Sequence, residues 1–247
     1  MTVDDVTIGR SGRGRCRRPT LPRPTAVALA HLQLRQSILA ERLRPGEWLR
    51  QEELASRLSM SRQPIREALC LLGEEGLVEL VPHRGARVAP LSLEELEEIY
   101  GARMGLEGLV ARYAAVRIDP QVLEALRPAL PKLMALSIAG DVDSYLQEDR
   151  RFVETCYAVS GRPRLCGQIV ALRERAERYL RLVFKCGTGF QWVDYSYRLF
   201  QACVAHDADA AEAAAQGALR WTLTQATALF ETSGTVNPEG TRALRGG

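Results

Sequence analysis

The chain has 247 residues, of which 46% are hydrophobic and only 6% aromatic, and a formal net charge of +3 at pH 7. That length and apolar share support one or two domains with real cores. The small net charge excludes a histone-like binder acting through bulk positive charge, and no apolar run approaches the ~18 residues that a membrane span requires.

Charge is unevenly placed. Residues 1–24 carry six Arg against two Asp, whereas 91–247 is slightly acidic, so basic charge gathers towards the N-terminus. Lys132 and Lys185 are the only lysines, and almost every cation is therefore a guanidinium fork. The six cysteines (Cys16, Cys70, Cys156, Cys166, Cys186 and Cys203) form no C-x-x-C pair, and the first 24 residues lack the apolar segment of an export signal. A cytoplasmic protein with reduced thiols is the expectation. Residues 1–24 lack periodicity and are expected to be a disordered basic tail. Its Arg10, Arg13, Arg15, Arg17 and Arg18 either reach a neighbouring minor groove or remain solvated.

A first helix is expected over 25–44, with Ala30, Leu34 and Ile38 on one side and Pro45-Gly46 ending it. A short helix over 51–58 follows, contacting its neighbours through Leu54, Ala55 and Leu58. Leu58-Ser59-Met60-Ser61 turns into a third helix running to about Glu75. Ser61 is suited to cap it, and Pro64 falls in the first turn, where its missing N–H has no helical partner. Ile65, Leu69 and Leu72 recur at i, i+4, i+7 and form one apolar face, while Arg62, Gln63 and Arg66 project away from it. Arginine can bridge guanine O6 and N7, and glutamine adenine N6 and N7, so this helix reads as one that enters a major groove. Gly76 is a fitting stop. Residues 77–81 and 86–88 read as strands around the turn Pro82-His83-Arg84-Gly85, a wing whose tip presents His83, Arg84 and Arg87 to DNA. Residues 25–90 thus make a winged helix-turn-helix domain. Arg42, Arg44 and Arg57 are expected to be solvated or phosphate-facing.

Residues 91–232 show no strand alternation. Six helices are expected, at 92–116, 120–138, 141–159, 163–185, 190–205 and 207–231, with Pro128 and Pro131 kinking or interrupting the second. The expected fold class is mainly α, a winged helix-turn-helix followed by an all-α bundle, with 233–247 a flexible tail. In the first bundle helix Arg103 shares a stripe with Leu96, Ile99, Leu106 and Val110. A guanidinium there must find an anion, whether Asp149 or Glu107 internally or a bound carboxylate. Asp149 lies beside an apolar stripe of its own, with Leu146, Val153 and Cys156. No Ser-His-Asp or Cys-His constellation points to an enzyme.

The stretches L-R-Q-S-I-L-A-E-R-L-R-P-G-E-W-L (34–49), E-L-A-S-R-L-S-M-S-R-Q-P-I-R-E-A-L (53–69) and G-L-V-E-L-V-P-H-R-G-A-R-V (76–88) resemble the GntR family of bacterial transcription regulators. The resemblance implies a homodimer on a pseudo-palindromic operator in double-stranded DNA, read by Ser61, Arg62, Gln63 and Arg66, with the wing at Arg84, Gly85 and Arg87. One position departs: where some members place a basic residue at the start of the second helix, this chain has Glu52, and that contact is expected to be lost or altered.

Residues 95–115 (E-L-E-E-I-Y-G-A-R-M-G-L-E-G-L-V-A-R-Y-A-A), 149–153 (D-R-R-F-V) and 206–214 (H-D-A-D-A-A-E-A-A) resemble the helical FCD domain of the FadR subgroup. The resemblance implies that this half binds an effector and dimerises. Many such domains hold a divalent metal through one Asp and three His beside an organic acid. Here Asp149 stands at the Asp position, but Val153, Ser196 and Ala218 stand at the His positions. No metal and no cofactor are therefore expected. The effector site is expected at Arg103, Asp149, Val153, Ser196 and Ala218, with Arg103 anchoring a small organic anion. Tyr145, Arg181, Trp192, Tyr197 and Gln225 are further candidates. The expected function is an effector-modulated regulator, more often a repressor in such families. The alternatives are a regulator whose pocket is filled by its own ion pair, and a redox response through Cys156 and Cys203. An aminotransferase-like extension, as some relatives carry, would need a far longer chain.

Overall fold

The structure, a computed structural model, describes residues 25–82, 84–185 and 189–232. The two tails, His83 at the wing tip and the break around Gly187-Thr188 lie outside the described residues.

Helix α1 (Ala26–Leu39) starts at Thr25, whose hydroxyl accepts from the Ala28 N–H at 3.1 Å. It ends five residues earlier than the apolar pattern predicts. Glu41 adopts a positive φ of 55° and the N–H groups of Arg42 and Leu43 both turn back to the Ser37 carbonyl. This reversal seats Leu43 in the core at 2% exposure, which a continued helix could not do. A two-residue strand β1 (Trp48–Leu49), too short to show alternation in the sequence, precedes α2 (Gln51–Arg57) and α3 (Arg62–Glu74). Gly76 takes φ +73° just past α3, as its role as a helix stop requires. Strands β2 (Val78–Val81) and β3 (Gly85–Val88) pair antiparallel, and β1 joins on the other side of β3. Leu34, Ile38, Ile65, Leu69, Leu72, Val78 and Val88 share one core across these elements.

Among the described residues seven helices follow: α4 (Leu93–Ala115), α5 (Pro120–Leu126), α6 (Ala129–Ala139), α7 (Val142–Ala158), α8 (Pro163–Lys185), α9 (Gly189–Val204) and α10 (Ala208–Thr232). Six were expected, with 120–138 counted as one helix that Pro128 and Pro131 kink or interrupt. The chain breaks at Pro128, which cannot donate to a helical carbonyl and crowds the preceding turn, while Pro131 sits harmlessly in the first turn of α6. Helices α4, α7, α9 and α10 close around one apolar cluster that includes Val110, Phe152, Phe200 and Ala211. A second cluster, holding Tyr100, Tyr145, Tyr179, Trp192 and Phe230, brings α8 into the bundle. Among the described residues no helix is long and apolar enough to cross a membrane.

Helix α8 also touches the winged unit. Glu177 receives Arg35 of α1 at 2.9 Å, and Arg178 donates to the Ala89 carbonyl at 2.6 Å. The Tyr179 hydroxyl accepts from the Ser92 N–H and donates to Glu95 at 2.8 Å. One helix therefore grips α1, the connecting residues and the start of α4.

Candidate functional site

On α3 the buried side is Ile65, Ala68, Leu69 and Leu72, and Ser61, Arg62, Gln63 and Arg66 are all exposed. Ser61 occupies the capping position but makes no side-chain cap bond, contrary to expectation. Pro64 supplies the reason. It stands third in the helix and lacks the N–H that a capping hydroxyl most often takes, so the Ser61 hydroxyl stays available. Gly85, at φ +104°, turns the wing, where Arg84 is exposed and Arg87 is tied across the strands to Glu79 at 2.6 Å. A groove of about 690 Å³ joins the two elements, lined by Arg50, Glu52 and Arg62 on one side and Arg84 and Gly85 on the other. Two of the side chains expected to contact DNA are held by carboxylates: Arg62 Nη2 lies 2.9 Å from Glu52, and Gln63 donates to Glu67 at 2.6 Å. Arg66 and Arg84 make no ion pair among the described residues.

The bundle holds a cavity of about 70 Å³, and Arg103, Asp149, Val153, Ser196 and Ala218 all line it. Its polar wall is a chain of ions. Arg103, 2% exposed, donates through Nε to Glu107 Oε1 at 2.7 Å. The other Glu107 oxygen accepts from Tyr157 at 3.2 Å and from Arg173 at 3.4 Å, and Arg173 reaches on to Asp149 at 2.5 Å. The internal partner of Arg103 is thus Glu107, and Asp149 belongs to Arg173. Burial alone would raise the Glu107 carboxyl, but the guanidiniums of Arg103 and Arg173 overcome it and hold the group below its ordinary range. Burial would likewise depress Arg173, yet Asp149 and Glu107 hold it above the usual guanidinium value.

Three buried groups in this wall make no well-formed hydrogen bond: Arg103 Nη1 and the hydroxyls of Tyr100 and Tyr145, with the Tyr100 hydroxyl close enough to the Arg103 guanidinium for that charge to oppose the effect of burial. Burial pushes both phenols up, so each is a neutral O–H donor. Leaving such groups dry and unpaired is costly, which makes them the points at which an acceptor from outside would be welcomed. Opposite them lie Trp192, Leu199 and Leu219. Of the further candidates, Tyr145 and Trp192 line the cavity; Tyr197 is exposed, and neither it nor Gln225 is part of the lining. Arg181 instead lines a groove of about 740 Å³ between α1 and α7/α8, where Leu146, Asp149, Arg173 and Leu180 form a wall common to groove and cavity.

The donor set does not suit the divalent metal that the FCD resemblance brings to mind. Val153 and Ala218 offer no ligand atom, the Ser196 hydroxyl donates to the Trp192 carbonyl at 3.1 Å, and the lone carboxylate, Asp149, is already neutralised by Arg173. Arg173 is also the main residue that the sequence reading missed. It falls on the α8 stripe with Ile169, Ala176 and Tyr179, but the run Arg173-Glu174-Arg175-Ala176-Glu177-Arg178 reads as a solvated face. Cys156 and Cys203, the redox candidates, lie buried with their sulfurs 3.7 Å apart.

Comparison with known proteins agrees with this geometry. Residues 29–88 match the model of bacterial regulatory proteins of the gntR family, and residues 98–220 match the FCD domain. The chain is 34% identical over 135 residues to an uncharacterized HTH-type transcriptional regulator in the TAR-I ttuE-ttuC' intergenic region of Agrobacterium vitis, covering 53% of this chain and 79% of that protein. It is 33% identical over 133 residues to the gluconate operon transcriptional repressor of Bacillus subtilis, covering 53% of each. The chain thus spans between about half and four fifths of the length of these relatives. Its fold superposes on that of E. coli McbR/YncC with a TM-score of 0.67 at 24% identity, over 86% of this chain and 100% of that one. These matches are to DNA-binding regulators and not to enzymes. With a winged helix-turn-helix whose third helix turns its polar side outward and a helical bundle behind it, the chain belongs to the GntR family of bacterial regulatory proteins and carries an FCD domain.

Proposed function

We propose that this protein is an effector-modulated repressor that binds a pseudo-palindromic operator as a homodimer. Helix α3 enters the major groove and the wing meets the flanking backbone. The observation that carries this reading is the exposed row Ser61, Arg62, Gln63 and Arg66, of which Arg62 shares one groove with Arg84 and Gly85, while the opposite side of α3 is buried. The repressor sense rests on the relative from Bacillus subtilis that is named as one.

The effector is a compact organic acid in the bundle cavity. Its carboxylate takes the free N–H of Arg103 and the two phenols, and its body lies against Trp192 and Leu199. Arg103 and Arg173 balance Glu107 and Asp149 in charge, so the incoming anion competes with Glu107 for Arg103 rather than filling an empty cationic hole. At about 70 Å³ the cavity admits only a few heavy atoms. A larger ligand has to part Asp149 from Arg173, on the wall shared with the groove beneath α1. Helix α8 carries that motion outward, because Glu177 and Arg178, one turn beyond Arg173, hold Arg35 and the Ala89 carbonyl. The ligand shifts the reading heads only as far as its affinities for the two arrangements differ.

A thermal-shift screen of small organic acids beside their neutral amides tests this. Acids raise the melting midpoint by mass action and amides do so less. Arg103→Ala loses that shift and the release of DNA, yet binds DNA as before. The internal pairing of Arg103 with Glu107 and of Asp149 with Arg173 favours a second reading, a regulator without an effector. A flat screen, in which no compound moves the midpoint, selects that one.

A further inference from the structure

Glu52 is out of place on a face that meets DNA. Phosphates dominate affinity for any duplex, so a carboxylate at the groove between α3 and the wing weakens binding to all sequences alike. It sits in the first turn of α2, lines that groove with Arg50, Arg62 and Arg84, and holds Arg62 Nη2 at 2.9 Å. Both side chains are about 70% exposed (69% for Arg62, 71% for Glu52), so in water the pair is weak and contributes little to the fold. Its value changes when a duplex excludes water from the groove. A free arginine can take any phosphate oxygen within its reach. With one Nη2 hydrogen committed to Glu52, the guanidinium plane is fixed and the remaining N–H groups offer a single, oriented fork.

We infer that Glu52 is a specificity-determining residue: it positions Arg62 for one guanine and, through its own charge, lowers affinity for every duplex, a loss that only a duplex presenting that base offsets. The inference rests on α3 being the helix that reads the major groove. Glu52 trades general affinity for discrimination. The adjacent Gln63–Glu67 pair repeats the arrangement one residue along. Arg84 at the wing makes no ion pair among the described residues, which leaves it to supply sequence-independent attraction.

The test is selection of bound duplexes from a randomised pool by the full chain, followed by sequencing, for the wild type, Glu52→Gln, Glu52→Asp and Arg62→Ala. Anisotropy titrations on an unrelated duplex at several salt concentrations accompany it. Glu52→Gln is expected to bind the unrelated duplex more tightly. It should also lose at least about fivefold in preference at one base pair of each half-site, the same pair that Arg62→Ala flattens. Glu52→Asp, which keeps the charge, should retain much of that preference. A wild-type motif from Glu52→Gln, with the motif of Arg62→Ala flattened, overturns the role of Glu52 while leaving α3 as the reader. A wild-type motif from Arg62→Ala removes Arg62 from the reading set, and the inference falls with it.

Discussion

Arg66 stands one turn beyond Arg62, exposed and without an ion pair among the described residues, so its whole fork is free for a guanine edge. Arg66→Ala is expected to cost about 1–3 kcal/mol at a single base pair, read by anisotropy on matched and mismatched duplexes. Equal affinities for variant and wild type on both duplexes would remove Arg66 from the reader. Inside the bundle, Glu107 neutralises two buried guanidiniums, and Glu107→Ala should destabilise the fold by about 3–5 kcal/mol in urea titrations, because both cations then lose a partner. The folded-state pKa values of Glu107 and of Glu177, the latter also lowered by Arg35 and Arg181 against the effect of burial, lie below the unfolded value of about 4.3. Their contribution is therefore complete above that pH and is lost as pH falls through the depressed values. The urea midpoint should hold from neutral pH to about 5 and drop below about 4.3. Glu107→Gln should flatten part of that drop, and an unchanged acid limb would contradict the assignment. At this scale the sequence showed Arg103 clearly, since one cation interrupts an otherwise apolar stripe. It hid Arg173, because there the stripe crosses a run dense in charges of both signs.

Among the elements, α8 does two jobs on two faces. Arg173 closes the cavity, while Glu177 binds Arg35, Arg150 and Arg181 together at the edge of the winged unit. Glu177→Gln should leave operator affinity and acid binding close to wild type and still weaken the release of DNA by the acid. The comparison is an operator titration with and without the strongest thermal-shift hit. Full release from the variant would move the coupling elsewhere. Helix positions were legible wherever the apolar period was long, as in α4, α7 and α8. They were lost where a local reversal won, as when Glu41 turned the chain to bury Leu43, whereas the interruption at Pro128 was legible from the proline itself. Strand β1 was invisible for a different reason: two residues carry no alternation, and its pairing with β3 is set by tertiary contact.

For the whole molecule, the order of a winged reader and a helical bundle was legible because each half has its own period and its own motif residues. What the sequence could not supply was the grip between them, since Arg35, Glu177, Arg178 and Tyr179 act through partners tens of residues away. That grip ties the winged unit to α8, and in the proposed homodimer it would set the spacing of two such units. The most direct test is a hydroxyl-radical footprint of the full chain on its selected duplex, with wild type beside an Arg62→Ala/Arg66→Ala variant. Two protected patches on one face, about one helical turn of ~10 base pairs apart or a multiple of it, are predicted for the wild type and should vanish in the variant. A footprint that survives both substitutions unchanged would contradict the claim that α3 reads the DNA.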